Sequence, residues 1–353
     1  MHHPDLCIAG AGIIGLSLAL ELHHRGAKVL VLERGTPLAE ASTAAAGMLA
    51  AEDPENPPQL RSLSDFSRSL YPSYLARLEA LSGLPIPFQT SVTLQASSSY
   101  LTADPDLPPL LSAGEHRFRK LQEHSIDPRQ LAASLLAAVH ATSIELRPHN
   151  PIHQVRATAH SVQIETQTTT FSAPNFIDCT GAWASALSPF NVVPRKGQML
   201  SVALPADLPL GSSLDSSLDM VVRTPDIYIV PRTLGPNAGR AIIGATVENR
   251  GFDKAVDPPQ IALLRVQASL LLPQLAETPI LESWAGLRPA TPDGLPLLGP
   301  VAPNSRHYLA TGHYRNGILL APATAYVLAQ LLSGEASTVD IAPFSPARLT
   351  AMK

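Results

Sequence analysis

Apolar residues fall in short blocks whose spacing changes along the chain. Leu6-Cys7-Ile8-Ala9 and Val29-Leu30-Val31-Leu32 are unbroken runs, as expected of strands in a parallel sheet covered on both faces. Between them Ile13, Ile14, Leu16, Leu18, Ala19, Leu20 and Leu22 predict a well-buried helix over 13–24, with Gly26 just past its end. A second helix is predicted over 60–82 and stops at Gly83. A third opens at Asp127-Pro128, with Asp127 as N-cap and Pro128 in the first turn, and runs through Val139. Strands are predicted at 91–95, 144–146, 152–155, 162–165 and 175–179. From 192 to 285 the reading is mostly antiparallel, with strands at 197–203, 227–231 and 241–246 and a helix near 258–272. A strand over 307–310 and a helix over 318–333 close the chain.

This alternation predicts an α/β (α+β) two-domain protein. A Rossmann-type dinucleotide-binding domain is expected from 1–83, 128–190 and 286–353, and a mostly antiparallel substrate-binding domain from 84–127 and 191–285. A length of 353 residues is enough for both. Charged residues make up 15% and the net charge is −4, so no basic surplus exists to neutralise phosphates and no nucleic-acid partner is expected. No stretch approaches the roughly 18–20 apolar residues of a membrane span. The first strand starts at about residue 5, so neither a signal peptide nor a membrane span is expected, and the expected location is the cytoplasm. Cys7 and Cys179 sit in apolar runs and read as small core residues. The 12 histidines show no ligand spacing, so no metal site is expected.

The chemistry begins at Gly10-Ala11-Gly12-Ile13-Ile14-Gly15. Between a strand and a helix this Gly-x-Gly-x-x-Gly makes a phosphate site. Gly10 turns the chain, Gly12 lets a pyrophosphate approach, Gly15 lets the helix pack close, and the helix N-terminus holds the anion. Glu33 stands 18 residues after Gly15, at the end of the next strand. A carboxylate there accepts the ribose hydroxyls and disfavours a 2′-phosphate. The small residues Ala44, Ala45, Ala46, Gly47 and Met48 suit a backbone lying against a flat ligand, and Gly47 hints at a ligand contact. Thr180-Gly181-Ala182-Trp183 suits another such approach.

Taken as a set, these stretches resemble the D-amino-acid oxidase family of FAD-dependent oxidoreductases, and within it the glycine oxidases of thiamine biosynthesis. The resemblance is carried by GAGIIG (10–15), VLER (31–34), AAAGML (44–49), RKGQML (195–200), YIVPR (228–232), GRAIIGAT (239–246), WAGLRPATPDGLPLLG (284–299) and TGHYRNGILLAPATA (311–325). It implies non-covalent FAD. The cofactor contacts it implies are Gly10, Gly12, Ile13, Ile14, Gly15, Glu33, Arg34, Ala45, Ala46, Gly47, Met48, Val155, Thr180, Gly181 and Trp183. Toward the C-terminus it adds Arg288, His313, Arg315, Asn316, Gly317 and Ile318. The helix after Gly317 would aim its positive end at the flavin. Tyr228 and Arg288 are the implied catalytic pair, gripping the substrate carboxylate, with Arg315 and Val247 beside them. An Arg fork suits a carboxylate, although without the family context Arg288 reads as a structural ion pair and Tyr228 as a sheet tyrosine with its hydroxyl in water. Asp226 and Val247 depart from the glycine oxidase pattern, which has His and Met there.

The implied reaction is oxidation of glycine, sarcosine or D-alanine. Hydride passes to flavin N5, the imine hydrolyses to the 2-oxo acid, and O2 becomes H2O2. Three alternatives stay open: a dehydrogenase with a non-oxygen acceptor, a relative acting on transfer RNA, and a non-catalytic flavin-binding subunit of a hetero-oligomer. A homo-oligomer is compatible with all that the sequence contains.

Overall fold

The first strand, Leu6–Ala9, lies at the middle of a six-stranded sheet. The computed structural model describes residues 4–98, 107–108, 111–158, 160–205 and 218–350. Across the sheet the order is Leu297–Pro300, His307–Thr311, Asn175–Asp178, Leu6–Ala9, Val29–Leu32 and Glu145–Arg147. All neighbours are parallel except the first pair. The unbroken apolar runs follow from this position, because both faces of the central strands are covered. Helices Ile13–His24, Arg61–Ser82 and Gly317–Leu332 pack together on one face. A small antiparallel sheet, Ile152–Ala157, Val162–Thr166 and Thr170–Ala173, covers part of the other.

A seven-stranded sheet forms the second half. Its order is Ile280–Ala290, Val193–Ala203, Arg240–Gly244, Tyr228–Arg232, Val221–Arg223, Thr93–Ala96 and Phe118–Leu121. All its pairs are antiparallel except Val221–Arg223 with Thr93–Ala96. Helix Pro258–Leu271 packs on it over a separate apolar core. The fold is therefore α/β with a Rossmann-like part and an antiparallel sheet, as the periodicity predicts. Two strands are longer than read from the sequence. Val193–Ala203 begins four residues before Gly197, and Ile280–Ala290 runs as one strand through Trp284 and Arg288.

Local signals explain the element ends. Asp127 caps its helix by accepting the Arg129 N–H at 2.9 Å, and Gly83 closes the 61–82 helix with φ +71°. The last helix carries Pro322, whose missing N–H leaves the Ile318 carbonyl without its helical donor. The buried Tyr71 hydroxyl donates to that carbonyl instead. Ser67 Oγ donates to the next carbonyl, Leu319, at 2.6 Å and accepts the Ala323 N–H at 3.2 Å. The first turn of this helix is thus pinned from helix 61–82. No helix among the described residues is long and apolar enough to cross a membrane.

Candidate active site and cofactor cleft

One cavity of about 460 Å³ runs from the glycine turn to the antiparallel sheet. Two helix N-termini open into it, at Ile13 and at Gly317, each bringing its partial positive charge. The turn is drawn tight. Gly10 has φ +96°, and a Cβ there would lie 2.6 Å from the Cys179 carbonyl oxygen. A Cβ on Gly15 would lie 2.0 Å from the Gly10 carbonyl oxygen, so Gly15 sits behind the turn as packing and is not among the lining residues. Gly12, Ile13 and Ile14 do line it. Ser42 Oγ accepts the Ile13 N–H at 2.9 Å, capping this helix from a distant segment.

Glu33 faces the cavity and also braces its rim. Oε2 accepts the Ala11 N–H and Oε1 the Gly35 N–H, both at 2.8 Å. The Arg34 guanidinium lies 3.5 Å from the centre of the Trp183 ring, which stacks on Phe252 at 5.2 Å. Thr180 and Gly181 line the wall beside them. Val155 does not: it pairs with Ile164 in the small sheet, and Asn150, Pro151 and Ile152 form the lining there.

Ala45, Ala46, Gly47 and Met48 form the middle of the wall. Gly47 is required for a reason other than ligand contact. A Cβ there would sit 2.0 Å from the Ile126 carbonyl oxygen, and φ is +87°. The second half of the molecule holds this segment by two groups that spacing does not reveal. Trp284 Nε1 donates to the Ala44 carbonyl at 3.0 Å, and the buried Arg232 donates to the Ala46 carbonyl at 2.9 Å.

At the far end Tyr228 and Arg288 meet in the same cavity. They come from different strands of the seven-stranded sheet. Burial pushes the Tyr228 phenol above its usual range, with the Arg288 guanidinium partly offsetting this, so the hydroxyl stays protonated. Arg288 lies flat against Gly197, and its Nη1 donates to the Thr246 carbonyl at 3.0 Å. Val247 lines the opening and is 63% exposed. Asp226, exposed at the tip of the hairpin before Tyr228, also lines it.

Arg315 lines the cavity but is held by carboxylates, Asp53 at 2.6 Å and Glu55 at 2.8 Å. Asn316 Nδ2 donates to Asn56 Oδ1 at 2.9 Å, tying the start of the last helix to the same loop. Behind that loop, buried Arg223 donates to Gln95 and, at 3.0 Å, to buried Glu123. Asp53, Gln95 and Arg223 line the cavity, Glu123 backs them, and no sequence motif announces this cluster. His313 lines the cavity too; burial lowers its pKa to about 3, so its imidazole is neutral and shares a 3.0 Å hydrogen bond with Thr324. No group of three or more His, Cys, Asp or Glu among the described residues stands as a metal site.

The donor set fits a flavin dinucleotide. An anion-binding helix end and an acid for a ribose occupy one end. Small residues wall the middle, where a Gly286 Cβ would already meet the Ala44 Cβ at 2.6 Å. A second helix N-terminus lies beyond them.

Comparison with known proteins agrees with this geometry. The family model described as DAO, FAD dependent oxidoreductase, matches residues 5–331. The chain is 36% identical over 368 residues to the bifunctional protein ThiO/ThiG of Trichormus variabilis. That match covers 98% of this chain but 55% of the relative, so the chain spans about half the length of such relatives. It is 32% identical to the glycine oxidase of Pseudomonas aeruginosa, covering 96% of this chain and 98% of that protein. The crystal structure of glycine oxidase from Geobacillus kaustophilus superposes with a TM-score of 0.89 at 29% identity, covering 99% of each chain.

Proposed function

The chain belongs to the DAO family of FAD dependent oxidoreductases, and from that premise we propose that it oxidises glycine or another small amino acid, such as sarcosine or D-alanine. Glycine, O2 and water would give glyoxylate, ammonia and hydrogen peroxide. The observation that carries this reading is the meeting of Tyr228 and Arg288 at one end of the cavity that starts at the glycine turn. FAD held there non-covalently supplies the two-electron acceptor and the route of those electrons to oxygen.

The side chains bind and orient. The Arg288 fork and the protonated Tyr228 hydroxyl hold the substrate carboxylate, which leaves the amine-bearing carbon turned toward the cofactor end. The helix N-termini at Ile13 and Gly317 would favour negative charge on the bound cofactor, the first on its pyrophosphate and the second on its reduced ring. His313, held neutral by burial, adds no competing charge. The reading extends to the supply of a thiamine precursor, as the motif resemblance to the glycine oxidases of thiamine biosynthesis implies.

Arg288→Ala tests the reading. A charged hydrogen bond contributes roughly 1.5–3 kcal/mol, so losing the fork lowers kcat/KM by about ten- to a few-hundredfold. The flavin spectrum of the variant stays that of the wild type. Unchanged kinetics with glycine, sarcosine and D-alanine would remove Arg288 from the site.

A further inference from the structure

The guanidinium of Arg288 is steered from the turn that also carries Val247 into the cavity lining. Its Nη1 donates to the carbonyl of Thr246, two residues beyond the end of strand Arg240–Gly244, where the regular ladder has stopped. The position of that carbonyl is set by side chains. Thr246 Oγ1 accepts the backbone N–H of Gln198 at 2.9 Å, taking the place of a ladder carbonyl. The same hydroxyl donates to Glu248 Oε1. Glu248 Oε1 also accepts from Gln198 Nε2 at 2.8 Å, which closes a ring of three residues. Gln198 is fully buried, and its Oε1 accepts the Asp257 N–H at 2.6 Å. Backbone bonds between Lys196 and Glu248, 2.9 and 3.0 Å, fix the far side of the turn.

We propose that Thr246 and Glu248 are positioning residues for Arg288: the Glu248 carboxylate holds the Thr246 hydroxyl, and this fixes the Thr246 carbonyl that aims the guanidinium. The inference rests on the reading of Arg288 as the carboxylate-binding group. Glu248 is suited to the task as an anion. Partial burial raises its pKa, but hydrogen bonds from Thr246 and Gln198 outweigh this and hold the carboxyl below its usual range. Ionised, it has no proton to offer, so the Thr246 hydroxyl is obliged to donate to it and to leave its lone pair for Gln198. Val247, between the two, is held over the cavity by the same anchors. The turn therefore sets both the carboxylate grip and the apolar residue beside it.

Thr246→Val removes the hydroxyl at nearly constant volume, and Thr246→Ser keeps it. The probe is glycolate, titrated into the oxidised FAD-loaded protein and followed by the change in flavin absorbance. Thr246→Val is expected to weaken glycolate about tenfold, to raise KM for glycine by a similar factor with kcat nearly unchanged, and to leave FAD affinity intact. Thr246→Ser restores wild-type binding, and Glu248→Ala follows Thr246→Val. In an Arg288→Ala background Thr246→Val adds no further loss, because both act through one group. Wild-type glycolate binding by Thr246→Val, beside weakened binding by Arg288→Ala, overturns the inference and leaves the site assignment standing. An equal loss in the Arg288→Ala background also overturns it. Wild-type glycolate binding by Arg288→Ala overturns the inference and the site assignment together.

Discussion

Gly197→Ala separates the geometry of the site from the stability of the fold. Gly197 lies in strand Val193–Ala203, beneath the flat face of Arg288. A Cβ at this position would come 2.3 Å from Nη2 and 2.5 Å from Cζ and Nη1. Ordinary contact begins near 3.5 Å, so the guanidinium must move by about 1 Å. It is the far end of a flexible side chain, so the movement is cheap in folding energy, and the melting temperature of the variant stays close to that of the wild type. Function is less tolerant. A misplacement of about 1 Å in an orienting group costs on the order of 10²-fold in rate, about 2.7 kcal/mol of transition-state stabilisation. The assay is kcat/KM with glycine and with D-alanine, alongside FAD affinity and thermal melting. Wild-type kcat/KM would refute the placement of Arg288 over Gly197. A loss that tracked loss of FAD would refute its assignment to the substrate end.

Gly286, paired with Gly197 across the two strands, lies on the same face of the sheet, but a Cβ there would meet Ala44 and not Arg288. Gly286→Ala pushes a methyl against a rigid Ala44 Cβ, so it should lower FAD affinity rather than carboxylate affinity, as a glycolate and FAD titration of the same protein will tell. Glu33→Ala leaves the Ala11 and Gly35 amides without their acceptor and removes the carboxylate expected to meet the ribose; FAD is expected to bind about ten- to a hundredfold more weakly, and unaltered retention on gel filtration would argue against a role in the cleft. Tyr71→Phe orphans the Ile318 carbonyl and should cost about 1–3 kcal/mol in urea unfolding. Burial lowers the pKa of His307 to about 4 and of His313 to about 3. Below the ordinary value near 6.5 the unfolded chain takes up these two protons and the native chain does not, so their contribution is whole above pH 6.5 and is lost as pH falls toward 4 for His307 and toward 3 for His313. Burial acts oppositely on Asp178, raising it to about 6 against the hydrogen bonds from Thr180, and offsets one of the two protons between roughly pH 4 and 6. His307→Leu should flatten the fall of unfolding free energy between pH 6.5 and 4.5, and an unchanged slope would count against this.

The legible parts of the molecule were those encoded by local spacing. The glycine turn, the buried helix behind it and the Asp127 cap depend on neighbours a few residues apart, and they form where the pattern places them. The parallel sheet is legible for a related reason, since short unbroken apolar runs bounded by turn residues suit strands covered on both faces. The braces of the site are long-range and leave no period. Tyr71 answers a proline 251 residues away, and nothing around either residue announces the pair. Trp284 and Arg232 hold the wall at Ala44 and Ala46 by reaching for backbone carbonyls, which no motif records. Gly47 lines the cavity, as its place in the small-residue run suggests, but the packing demand of the Ile126 carbonyl on it is not visible in the sequence. Val155 fell outside the lining because the small sheet turns it into its own core.

The central claim, that Arg288 and Tyr228 place a small amino acid against FAD in this cleft, is tested most directly by anaerobic mixing. FAD-loaded protein is mixed without oxygen with glycine, sarcosine and D-alanine in turn, and the visible flavin band is followed. At least one of these bleaches the wild type, the colour returns with hydrogen peroxide when oxygen is admitted, and the rate of bleaching falls about ten- to a few-hundredfold in Arg288→Ala. A wild-type flavin that no small amino acid bleaches, or an Arg288→Ala variant that bleaches at the wild-type rate, would contradict the account.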